Sequence, residues 1–596
     1  MTRTHLETDF CIIGGGLAGV CAALAAARNG AKVVLVQDRS VLGGNASSEI
    51  KMHVVGADCH GSRPGARETG LIEELKLEDA YRNPHRAYSS WDLLLYEKVI
   101  ENPNITLLLD SDCDGCKTVE TEGGRRIVSA HITRSFTEEE FVIAAKYFAD
   151  CSGDGRLGAE AGADFRMGRE GREEFDESLA EAQADDFTLG NSILFTARKY
   201  NTPQPFVKPH WVRPFTKEEF KLRPIKSFEY GYWWAEWGGQ LHTITEGENI
   251  RQELLRIALG IWNYIKNSGE HPDSANWALD WVGAIPGKRE SRRFLGDHVL
   301  TQHDIESGRV FEDQVAYGGW WLDLHPPTGM DAIDEAPCVQ HHLDHLYSIP
   351  LRTLYSRNID NLLFAGRNMS ATHVAFASTR VMATCAVMGQ AIGTVAAEAV
   401  RQPEVAPLRN LRQPGTIARI QQTLLKDDAF LLDVANTDPN DLARRADCQA
   451  SSERMPAANA ISGVTRRTEA GWGSWTQGEE NCWESSELPA WLELTLPAAG
   501  LVREIHLTFC SGLQRELTLS ASDHVTSKVV RGAQPEIVRD YDIYLDGTLE
   551  FSMRGNYLRK RVHILESPRN ARAVRVACLA THGHSTARVF EVRAYE

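Results

Sequence analysis

One glycine pattern constrains the fold more than any other feature. Gly14-x-Gly16-x-x-Gly19 stands between the apolar run Phe10–Ile13 and the alanine-rich stretch Val20–Asn29, which Gly30 ends. A short apolar run of this kind reads as a buried parallel strand, and the stretch after it reads as a helix. Ala31–Val36 then gives a second strand, so the unit spans about the ~30 residues of a βαβ. The three glycines serve different ends. Gly14 makes the tight turn, Gly16 lets backbone approach a pyrophosphate, and Gly19 lets the helix pack close on the strand. The free amides and partial positive charge of the helix N-terminus favour phosphate. The second strand of such a unit usually ends in an acidic residue that binds a ribose. Here Gln37 holds that place, followed by Asp38 and Arg39, and either Gln37 or Asp38 could make the contact.

The chain returns to the same ligand twice more. Asp150-Cys151-Ser152-Gly153-Asp154-Gly155 follows an apolar run and opens a helix, and Leu362–Ala365 leads through Gly366-Arg367 into a long helical stretch. Together with Leu42–Glu49 ("LGGNASSE"), Lys288–Arg293 ("KRESRR") and Ala365–His373, these blocks resemble the FAD-dependent oxidoreductases of the glutathione-reductase-type fold. The resemblance covers roughly residues 8 to 400 and implies FAD as cofactor. It implies cofactor contacts from Gly14, Gly16, Gly19, Gln37, Asp38, Arg39, Gly43, Gly44, Asn45, Ser152, Gly153, Asp154, Gly366, Arg367, Arg380 and Gly389. It also implies a helix N-terminus aimed at the flavin ring, where it would stabilise the anionic reduced form. Asn45 stands where some relatives carry a histidine for covalent attachment, so a covalent flavin is not expected. The sequence has no second G-x-G-x-x-G on a βαβ unit. The Cys113–Cys116 pair lies among turn residues, so a pyridine-nucleotide disulfide reductase is disfavoured.

The fold class expected is an α/β Rossmann-type FAD domain with an inserted α+β substrate domain, plus a C-terminal antiparallel β-sandwich of the jelly-roll kind. The FAD domain is expected over residues 1–165 and 350–402, the substrate domain over 166–349, and a helical connector over 403–445. The insert is rich in tryptophan (Trp211, Trp233, Trp234, Trp237, Trp262, Trp277, Trp281, Trp320 and Trp321). Residues 446–596 carry short alternating runs between turns, such as "WLELTL", "EIHLTF", "ELTLSAS" and "ARVFEVRAY". With "SGVTRRTEAGWGSW" ahead of them they resemble discoidin-like, galactose-binding-like modules. Such modules bind carbohydrate or serve as structural and oligomer contacts; the structural role is expected here, with Trp472 and Trp475 in the core.

A formal net charge of −17 disfavours nucleic acid as a partner. No apolar run of about 20 residues suggests a membrane span, and no leader pattern is evident. Twelve scattered cysteines without metal-ligand spacing suit reduced thiols, a cytoplasmic location and no bound metal.

Oxidation of an alcohol with hydride transfer to flavin N5 needs a base for the hydroxyl proton, and histidine suits that role near neutral pH. His373, between the Gly366-Arg367 turn and the long helix, is the first candidate and His53 the second. Arg67, in the Gly/Pro loop "HGSRPGARETG", could clamp a carboxylate or pair with a neighbouring acid. His341 and His345 are spaced i, i+4 but lack further ligands. The leading expectation is hydride abstraction from a polar small molecule (a sugar, sugar acid or cyclitol) with an unidentified electron acceptor. Redox-neutral elimination or glycosidic cleavage through transient oxidation, reduction of an activated C=C bond, and a non-catalytic carbohydrate-binding scaffold stay open. A homo-oligomer is also left open.

Overall fold

The computed structural model describes residues 2–122, 124–402, 404, 406–466 and 480–596. Trp472 and Trp475 lie outside these residues. The first strand, β1 (Thr2–Ile13), begins well before its apolar half. It leads into α1 (Leu17–Arg28) and β2 (Val33–Val36). Helices α2 (Leu71–Arg82) and α3 (Tyr88–Ile100) follow, then β3 (Ile105–Leu108), β4 (Asp112–Thr121), β5 (Gly124–Arg134) and β6 (Glu139–Asp150).

These strands make a sheet of order β3-β2-β1-β6-β5-β4, parallel from β3 to β6. The far edge of β6 is shared. Its first half pairs antiparallel with β5, and its last residues, Phe148–Asp150, pair in parallel with the distant strand Leu362–Phe364. Three parallel strands therefore end side by side at Gly14, Ser152 and Gly366. Ligands of open α/β sheets bind at such carboxyl ends.

Gly14 has a φ of 105°, a value L-residues rarely adopt, and a Cβ there would lie 2.4 Å from the Cys151 backbone. Helix α1 packs on the long helix Met382–Val400 through small residues. A Cβ on Gly389 would sit 2.1 Å from the Ala18 carbonyl oxygen, and one on Gly393 2.3 Å from that of Ala22. Met382–Val400 corrects one expectation: it is long and apolar enough to cross a membrane, yet 94% of that stretch is buried in the protein. Its apolarity serves the core.

The insert is built from short two-stranded pairs around one amphipathic helix, Gly247–Asn267. Ile250, Leu254, Ile257, Ile261 and Ile265 line its buried face, at the spacing a helix requires. The C-terminal domain is an antiparallel sheet of seven strands among the described residues. It is continuous through two long strands, Ala490–Phe509 and Lys560–Thr581, whose ladder shifts register between Thr495 and Gly500 and again between Val502 and Glu504. Bulges of this kind bend a sheet. "ELTLSAS" (516–522) departs from expectation: it alternates as a strand does but forms none. Leu517 and Thr518 are buried against the first domain, where Leu517 packs with Leu77 and Ala80 and the Thr518 hydroxyl donates to the Val54 carbonyl at 3.1 Å.

Candidate active site

The four sequence blocks interlock through hydrogen bonds. Asp154 accepts from Lys288 and from Arg367, each at 2.6 Å. Ser291 donates to the Gly153 carbonyl (3.0 Å) and accepts from Arg367 (2.8 Å). Asn45 donates to the Lys288 carbonyl (3.0 Å) and Asn368 to that of Asp150 (3.1 Å). The two cations beside Asp154 hold its carboxyl well below the usual range despite burial.

Against this frame lies a cavity of about 990 Å³. One end is lined by Gly14, Gly16, Asp38, Arg39, Gly43, Gly44, Asn45, Ser152, Gly153, Asp154, Gly366 and Arg367. Gly16 caps α1, and a Cβ there would meet nothing nearer than Gly44 at 4.0 Å, so it would enter the cavity. The first turn of Met382–Val400 reaches the wall through Met382 and Cys385. A bare helix start, three glycine turns and a second helix start around one cavity of this volume fit a flavin dinucleotide.

Some of the expected residues have other roles. Gln37 lines the cavity, but its side-chain oxygen accepts from the Gly15 amide (2.7 Å) and its amide donates to the Val41 carbonyl (3.2 Å). It braces the glycine loop, which leaves Asp38 as the carboxylate beside the cavity. Gly19 and Gly389 are off the wall. A Cβ on Gly19 would lie 1.8 Å from the Gly14 carbonyl oxygen, and Gly389 is a helix–helix contact. His373 is also off the wall; its Nδ1 lies 3.0 Å from Glu290, which pairs in turn with Arg293, and Arg293 bonds Glu170 at 2.7 Å. Arg67 is wholly buried at the seam with the sheet domain. It is paired with Glu73 at 2.6 Å and donates to the carbonyls of Ser511, Gly512 and Arg515.

Arg380 lines the other end of the cavity, where it donates to Asp323 (2.9 Å). His325 bridges Asp323 (3.0 Å) and Glu236 (2.8 Å), and Arg289 lies 3.4 Å from Glu236. Burial opposes charge on His325, but the two carboxylates outweigh it and raise its pKa. The motifs did not point to this cluster, although Asp323 and His325 stand two apart at a short strand and so share a face. Tyr230, Trp233 and Trp320 complete the wall with His53 and His60.

His53 and His60 are 5.7 Å apart between ring centroids. Burial, helped by the His60 charge, pushes His53 down to about 4, whereas His60 is raised by Glu516, whose carboxylate lies 3.0 Å from its Nδ1. Neighbouring groups with pKa values driven apart mark acid–base machinery. Among the described residues, His53 Nδ1, Trp320 Nε1 and Arg380 Nε are buried without a hydrogen-bond partner. No group of three or more His, Cys, Asp or Glu side chains among those residues could hold a metal.

Among solved structures, similarity is found to a chitosan-binding module of a chitosanase/glucanase from Paenibacillus sp. IK-5 (16% identity, TM-score 0.19, 26% of this chain and 98% of that one). It is found also to the family 32 carbohydrate-binding module of Streptococcus pneumoniae EndoD (15%, 0.19, 26% and 97%). A third is the family 32 module of C. perfringens NanJ in complex with galactose (20%, 0.19, 26% and 98%). Scores this low say nothing about what this chain binds. No curated protein matches the sequence. The model of the family described as FAD dependent oxidoreductase matches residues 9–424, more than half of the chain and all four motif blocks. The chain therefore belongs to the FAD-dependent oxidoreductase family, and FAD is its cofactor.

Proposed function

We propose that the protein oxidises a hydroxyl-bearing carbon of a polar small molecule, a sugar, sugar acid or cyclitol. The observation that carries this reading is that one cavity brings the glycine turns together with His53, His60, Arg380, Asp323 and His325. Tyr230, Trp233 and Trp320 offer apolar ring faces for the C–H side of a sugar. Arg380, Asp323 and His325 offer donors and acceptors for its hydroxyls, and their mutual ion pairs fix them before the ligand arrives.

When bound, FAD supplies the two-electron acceptor. What the protein must add is a group to take the hydroxyl proton. His53 lines the cavity and burial keeps it neutral above about pH 4, so it takes that proton. His373, bound to Glu290 away from the wall, holds the insert to the flavin-binding segment instead. The twelve unpaired cysteines support a reducing, cytoplasmic setting.

The test is anaerobic bleaching of the flavin absorbance by a panel of sugars, sugar acids and cyclitols. Bleaching by members of the panel, strongly slowed in His53→Asn, is expected. Failure of every member, with reoxidation of the dithionite-reduced protein by an enoate, would replace this reading with a C=C reductase.

A further inference from the structure

Between strands Ala490–Phe509 and Val538–Leu545, the sheet domain sends residues 511–531 out across the first domain. This segment is fastened along its length. Ser511 donates to Glu73 (2.5 Å), Thr518 to the Val54 carbonyl, and the Asp523 amide to Glu229 (3.1 Å). Arg86 donates to Asp523 (3.0 Å) and Arg531 to Asp79 (2.8 Å). Ser522 and Val525 thereby become part of the cavity wall.

Glu516, in the middle of the segment, is 8% exposed and bonds His60. The backbone presents that ring at a conformational cost: Cys59, His60 and Gly61 all have positive φ, at 46°, 59° and 77°. Two successive non-glycine residues in that region require support from their surroundings and are typical of functional sites. Support comes from Glu516, whose amide would lie 3.2 Å from a Cβ on Gly61, and from Trp320, whose ring meets His60 edge-on at 5.3 Å.

We propose that Glu516 is a positioning residue of the active site, holding His60 so that its Nε2–H serves as a cationic donor to the substrate, and that the sheet domain is therefore a working part of the enzyme. With Nδ1 engaged by Glu516, Nε2 is the ring's remaining donor, and a charged donor binds oxygen more strongly than a neutral one. Burial and Lys528 oppose charge on His60, while Glu516 and Asp58 favour it and prevail. His53 faces the ring at 5.7 Å, and Lys76 acts on Glu516 from α2. The role of Nε2–H rests on the oxidoreductase reading above; the Glu516–His60 coupling does not.

The test is Glu516→Gln in the full-length holoprotein. Histidine Cε1 hydrogen–deuterium exchange, followed by mass spectrometry across pH, gives the His60 midpoint directly. We expect it to fall by about one pH unit or more, the size of a lost close countercharge. KM for the bleaching substrate should rise with pH through the same midpoint, and that rise should move down equally in Glu516→Gln, with kcat at pH 5 held within about twofold. Glu516→Asp should restore both, and retained flavin absorbance reports that each variant is folded. An unmoved His60 midpoint overturns the inference whatever the substrate. A shifted midpoint with an unmoved KM profile overturns the donor role. Failure of every panel member to bleach the flavin overturns the function reading and leaves the His60 midpoint as it was.

Discussion

Replacing Arg67 separates a structural role from a catalytic one. The Arg67 and Glu73 side chains are 0% and 1% exposed and meet in a two-pronged contact at 2.9 and 2.6 Å. In Arg67→Met the aliphatic volume stays, but Glu73 keeps only the Ser511 hydroxyl, and three carbonyls of residues 511–515 lose a donor. Breaking one side of a buried pair costs about 3–5 kcal/mol. With a urea dependence on the order of 3 kcal/mol per molar, the unfolding midpoint should fall by about 1–1.7 M. Removing both charges in Arg67→Met/Glu73→Leu should recover most of the loss, because neither charge is then stranded. The assay is urea unfolding followed by flavin fluorescence, with substrate bleaching measured in parallel at low urea. The pair also sets a pH dependence: Arg67 holds the Glu73 carboxyl below its ordinary value against burial, so its stabilisation is present above pH 4.5 and lost as pH falls. If Arg67→Met left the urea midpoint unchanged and abolished bleaching, the seam assignment would be wrong and a substrate clamp would return.

Gly16→Ala should fold, since its Cβ points into the cavity, but should weaken FAD binding roughly tenfold or more by calorimetry on the apoprotein. Gly19→Ala, with a Cβ 1.8 Å from the Gly14 oxygen, should fail to give soluble protein; equal yields of the two would contradict this. His53→Asn should keep its colour and bleach about 10²–10⁴-fold more slowly, whereas His373→Asn should bleach at close to the native rate but unfold at lower urea; the reverse pattern restores His373 as the base. His563, buried beside Tyr541 at 2.9 Å, is pushed by burial down to about 4. Its folded form resists protonation, so its contribution is complete above pH 6.5 and lost as pH falls toward 4, a gap worth about 3 kcal/mol. His563→Gln should flatten acid unfolding of the sheet domain between those limits; an unchanged acid midpoint argues otherwise.

The flavin-binding frame was legible because glycines carry geometry in their identity. Gly14, Gly153 and Gly366 each stand at a positive φ that other residues rarely adopt. Gly389 misled for the same reason, since close approach of a helix and of a ligand ask for the same residue. The opposite wall was less legible. His325 owes its role to partners from two other stretches of sequence, Glu236 and Arg380, and nothing in local pattern joins them. Residues 516–520 are buried on both sides, with Leu517 against α2 and Thr518 at the Val54 backbone, so their apolar–polar alternation matched neither a strand nor a solvent-facing side. Arg67 looked like a clamp because its sequence neighbourhood is a Gly/Pro loop, while it is tied to Glu73 six residues on and to three carbonyls more than 440 positions away.

The shared edge of β6 has a consequence for synthesis. Phe148–Asp150 wait for Leu362–Phe364, more than two hundred residues further on. Closing a loop about fifty times longer than a four-residue turn adds about 3.5 kcal/mol of chain entropy. Until then the nascent chain carries an open sheet margin and an unfinished nucleotide crevice, both prone to sticking. The crevice can therefore close only once Phe364 has been made, while the sheet domain that follows is still to come.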